Sequence, residues 1–164
     1  MLNLKFTKSG SECLIAYTRA DGSATWDKTH NFFVEHDLTH LAVESIFGFN
    51  SAFFGLIEAG RTIQSFEDKS PNDHRHTQLP EQAYLTEIIV GHLDNLRRMP
   101  DPDEYPLKDE ILRATEEASL NLPSGWEQKL AMCVKTAENL IAEWCELATN
   151  QSMEKTFPLP DSRP

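Results

Sequence analysis

Positive charge is scarce in this sequence: 15 lysines and arginines stand against 26 aspartates and glutamates, a net charge of −11. Nucleic-acid affinity comes largely from basic side chains displacing counterions, so a phosphate backbone is excluded as a partner. The same balance argues against docking on an anionic membrane. Cysteine is scarce too. Cys13, Cys133 and Cys145 are an odd number without CxxC spacing, which excludes a secreted disulfide framework and points to a reducing, cytoplasmic setting. Long apolar runs are missing. "IFGFNSAFFGLIEAG" is interrupted by Asn50, Ser51 and Glu58 and is too short to span a bilayer. The first residues alternate polar and apolar and lack the continuous apolar segment of a signal peptide. No glycine-rich phosphate loop and no GxSxG elbow occurs. Aromatic residues are not interleaved with basic ones, so no stacking platform for single strands is expected.

What remains is a chain of 164 residues, 40% hydrophobic and 25% charged, long enough for one well-buried core. Leu2, Leu4 and Phe6 alternate with polar neighbours and predict a first strand. "CLIAYTRADGSATW" predicts a hairpin with a two-residue turn at Asp21-Gly22, a register that sets Tyr17 opposite Trp26. From about residue 31 the apolar spacing turns helical. Helices are expected over about 31–48, 51–60, 80–98 (with Pro80 in its first turn), 107–119 and from about 125 onward, with Ser124 as a candidate cap of the last. That helix carries an apolar stripe of Trp126, Leu130, Val134, Ala137, Ile141, Trp144 and Cys145. The expected architecture is therefore α+β: an N-terminal three-stranded antiparallel meander followed by four to five α-helices. Residues 1–156 make a single domain and 157–164 a flexible proline-rich tail.

One stretch carries chemistry, "FFVEHDLTHLAVES" at residues 32–45. A helix turns about 100° per residue, so His36, His40 and Glu44 step round by only about 40° each, with Asp37 near Glu44. The rest of the helix is greasy almost all round, which predicts burial on most sides. Polar groups in such a helix need partners, because each unsatisfied one costs about 1–3 kcal/mol. Two imidazoles at i and i+4 with a carboxylate one turn on can ligate one divalent cation. Zinc, manganese, iron or nickel suit such mixed nitrogen and oxygen donors. The expected ligands are His36, His40 and Glu44, with Asp37 as a candidate catalytic base; Glu58 and His92 are alternatives for the third ligand.

"HDLTH" resembles the HExxH helix of zinc peptidases, with Asp37 where that motif has its glutamate base. Aspartate is one methylene shorter, and nothing else in the chain fits a peptidase. Over about residues 15–65, the order of a "DGS" hairpin, "HDLTHLAVE" and "GFNSAFFGLIEAGRT" is similar to a family of small bacterial proteins. In that family a HDLxHxxVE helix precedes a Gly-Phe-rich segment ending in Gly-Arg or Gly-Lys, and no activity is attached to it. The matching positions are His36, Asp37, His40, Glu44, Gly55, Gly60 and Arg61. The resemblance implies a fold rather than a reaction.

Two functions fit these residues. One is a divalent-metal-binding protein or metal-dependent hydrolase acting on a small-molecule substrate. The other is a non-catalytic helical interaction module whose cluster is a structural hydrogen-bond network: His36 on a carbonyl, Asp37 on Arg61, Glu44 towards water. The apolar faces of the helices at 31–48 and 126–148 would then contribute to a homodimer or a partner groove. His74 and His76 form an HxH pair on a polar loop and are expected to be solvated.

Overall fold

The computed structural model describes residues 1–67 and 79–160. The chain is α+β. Three strands, β1 (Leu2–Ser9), β2 (Glu12–Thr18) and β3 (Ala24–Thr29), lead into α1 (Asn31–Phe47). The short helices α2 (Phe53–Glu58) and α3 (Gln64–Glu67) follow, then α4 (Glu81–Arg98), α5 (Leu107–Glu117) and α6 (Trp126–Glu146). The last described element is β4 (Ser152–Phe157). All four strands pair antiparallel in the order β3-β2-β1-β4. No helix among the described residues is long and apolar enough to cross a membrane.

The alternation in β1 and β2 puts Leu2, Leu4, Phe6, Cys13, Ile15 and Tyr17 on the inner face. They pack against Val34, Leu38, Leu41 and Ala42 of α1 and Ala137, Ile141 and Trp144 of α6. A second cluster lies at the far end of α1, where Val43, Ile46 and Phe47 meet Leu85, Ile89 and Leu93 of α4 and Ile111 of α5. The helix is thus buried from two sides, and every residue from Asp37 to Phe47 is at most partly accessible, as its greasy circumference predicts.

Four expectations are corrected. The first hairpin is one residue out of the predicted register: Tyr17 pairs with Thr25, and Ala16 with Trp26. Its loop holds three residues, not two. The Gly22 amide donates to the Arg19 carbonyl (3.0 Å), and Gly22 adopts φ 84°, so a tight turn closes through a left-handed residue. Tyr17 is fully buried while Trp26 is 59% exposed, because a one-residue slip moves a side chain to the opposite face.

The chain end also differs. β4 adds a fourth strand to β1, Phe157 is buried, and the Leu159 amide donates to Ser45 Oγ (2.9 Å). The tail expected from residue 157 is docked at its start; residues 161–164 lie outside the described residues, as do His74 and His76. In α6, Leu130, Cys133, Ala137, Leu140, Ile141 and Trp144 form the buried stripe, and Cys145 is exposed. Gly125, not Ser124, stands at the start of that helix.

Candidate metal centre

His36 and His40 lie one turn apart on α1 and face α4. Their Nε2 atoms are 3.2 Å apart. Each ring is held from behind by a carboxylate. His36 Nδ1 is 2.7 Å from Asp94 Oδ2 on α4, and His40 Nδ1 is 3.2 Å from Glu44 Oε1. Asp94 is itself held by Arg97 (3.1 Å), which also pairs with Glu35. Such outer carboxylates fix ring orientation and tautomer in metal sites. Glu87 of α4, 58% exposed, brings Oε1 to 3.5 Å from His40 Nε2. One ligand atom from each of His36, His40 and Glu87 lies within 4.8 Å of the others.

The electrostatics follow from burial. Desolvation holds His40 down to about 4, against the pull of the Glu87 charge. Burial opposes charging of His36 as well, but the hydrogen bond and charge of Asp94 outweigh it and raise His36 above the ordinary histidine range. Burial also raises Glu44 well above the carboxylate range, opposed by the amides of Gly55 and Phe54.

Two Nε2 lone pairs cannot face each other across 3.2 Å. Either one proton lies between them, making one ring the donor, or a cation does. Two nitrogens bound to one first-row ion at about 2.1 Å stand about 3.0–3.4 Å apart at octahedral to tetrahedral angles, so the observed gap suits both occupants.

Glu44 does not stand beside these nitrogens. Its carboxylate accepts the Phe54 amide (3.0 Å) and the Gly55 amide (3.4 Å), closing the start of α2 while orienting His40. Gly55 is required there: a Cβ would lie 2.2 Å from the Asn50 carbonyl oxygen. Asp37 turns to the sheet instead and accepts the Tyr17 hydroxyl rather than Arg61. Burial raises Asp37 to about 6, against that hydrogen bond and the nearby imidazoles. Tyr17 is pushed well above its usual range, first by burial and then by the Asp37 charge. Glu58 pairs with the amino group of Met1, and His92 Nδ1 is 2.6 Å from the Tyr105 hydroxyl. Neither joins the imidazole pair.

The structure therefore brings His36 and His40 together and supplies Glu87 and Asp94, neither of which is among the ligands expected from the sequence. A signal for both existed. Glu87 and Asp94 are seven residues apart in a helical segment and so share a face. Compared with models of known protein families, with curated proteins and with solved structures, the chain matches none.

Proposed function

We propose that this protein binds one divalent first-row metal ion through His36 Nε2, His40 Nε2 and the carboxylate of Glu87, with Asp94 and Glu44 orienting the rings. The observation that carries this reading is the 3.2 Å approach of two Nε2 atoms whose Nδ1 atoms are both tied to carboxylates. Three protein ligands leave coordination positions for water, and partial exposure of His36 and Glu87 leaves a route to them. Open sites of this kind are catalytic rather than structural, and a metal-bound water is the group through which a hydrolase would act. Two imidazoles and one carboxylate also form the donor set of non-haem iron(II) centres, so iron(II) joins zinc and manganese as the ions of choice. Asp37, committed to Tyr17, has no part in this shell.

One observation favours a second reading, the structural network. Among the described residues, no buried side-chain nitrogen or oxygen lacks a hydrogen-bond partner.

Elemental analysis of the purified protein, followed by melting with and without a strong chelator, tests the proposal. Stoichiometric metal in the natural chain, a chelator-sensitive melt, and loss of both in His40→Ala are expected. If the natural chain retains no ion and ignores added zinc, manganese and iron(II), the cluster is a structural network and the hydrolase reading fails with it.

A further inference from the structure

Beside Asp37, on the sheet side of α1, lies an open cleft of about 160 Å³. Its apolar walls are the rings of Phe33, Phe53 and Phe66 with Ile15 and Ile63; Asp27 and Lys28 of β3 stand among its polar lining. Asp37 lines it as well, although it is only 7% exposed. Tyr17 supplies the single hydrogen bond that Asp37 accepts among the described residues, on Oδ2. Oδ1 accepts none, yet Asp37 has no polar atom that is both sealed from solvent and unpartnered. That oxygen therefore keeps some contact with solvent, and Asp37 is one of the residues that line the cleft.

We propose that this cleft binds a small organic ammonium compound with an apolar body. Three aromatic rings around a carboxylate attract a cation twice over, through the ring faces and through the charge. Outside the lining, the Arg61 guanidinium lies 5.7 Å from the Phe66 ring centre. Of the charged residues that line the cleft, Asp27, Lys28 and Asp37, the aspartate Asp37 is the buried one. A cavity of about 150 Å³ holds a benzene molecule, so one six-membered ring or a short alkyl chain fills this one. The proposal goes beyond the metal reading and does not depend on it.

Benzylamine, benzyl alcohol and benzoate, which share a shape and differ in charge, would be titrated by calorimetry and by NMR shifts of the Ile and Phe side chains. The full chain is used as purified and after chelation, so that coordination of the amine to a metal is told apart from binding in the cleft. Benzylamine should bind at least about ten-fold more tightly than the alcohol, in both preparations. Asp37→Asn should abolish that preference, and Phe33→Ala, at a half-exposed position, should weaken the amine. If Asp37→Asn does not fold, Asp27→Asn and the amine-to-alcohol ratio of the natural chain decide. Equal binding of amine and alcohol, tighter binding of benzoate, amine binding only before chelation, or no shift at millimolar ligand would overturn the proposal.

Discussion

On the side of α1 that faces α4, His36 and His40 converge on a partly open space, backed by Asp94 and Glu44 and approached by Glu87. On the side that faces the sheet, one turn of the same helix buries Asp37 against the Tyr17 phenol, beside a cleft lined by three aromatic rings. Burial acts on both sides with opposite results. It strips the proton from His40, leaving a neutral nitrogen donor, and it presses a proton towards Asp37. Neighbouring residues of one helix thus acquire opposite chemistry from what each face meets.

The largest effect should come from the residue that braces the α4 side. Glu44→Ala removes the partner of His40 and of two amides at the start of α2, all buried. A loss on the order of 3–5 kcal/mol is expected in urea unfolding. Glu87→Ala, exposed on the same site, should cost less than about 0.5 kcal/mol without metal. Similar losses for both would erase the distinction between brace and ligand.

The opposed protonation of the two sides gives the next effect. Asp37, at about 6 in the fold against 3.8 when free, contributes stability that is full below pH 3.8 and lost as pH rises through 6. His40, at about 4 against 6.5, contributes stability that is full above pH 6.5 and lost as pH falls through 4. Between these limits the two oppose each other. Asp37→Asn removes one side, so the natural chain should lose about 3 kcal/mol relative to the variant between pH 4 and pH 6. Stability curves that run parallel over this window would show that Asp37 does not resist ionisation.

Metal binding would sharpen the comparison from the α4 side alone. At a free ion concentration of about 100 Kd, stabilisation is about 2.7 kcal/mol, or roughly 5–10 °C in Tm for a domain of this size. Glu87→Gln should reduce the shift and Asp37→Asn should leave it intact. An ion effect that vanishes with Asp37 instead would move the site to the sheet side.

The smallest effect is expected on the outer face of the sheet. Trp26→Ser should change stability by less than about 0.5 kcal/mol, because the ring is exposed. A loss of several kcal/mol would mean that Trp26 packs with Tyr17 after all.

Local pattern determined much of this. The period-two residues of β1, the helical spacing of α1, α4 and α6, and the placing of His36 and His40 on one face all follow from the neighbours along the chain, so the α+β class and half of the site were legible. Tertiary structure decided the rest. The hairpin register hung on whether its loop held two residues or three. β4 has few apolar residues, Met153 and Phe157, and becomes a strand because the edge of β1 offers its hydrogen bonds. Glu44 and Asp37 share α1 with the histidines but are claimed by α2 and β2, whereas Glu87 and Asp94 reach the rings from more than forty residues away. A sequence shows which side chains share a helix face; which of them meet is decided only when burial makes every polar group find a partner on another element.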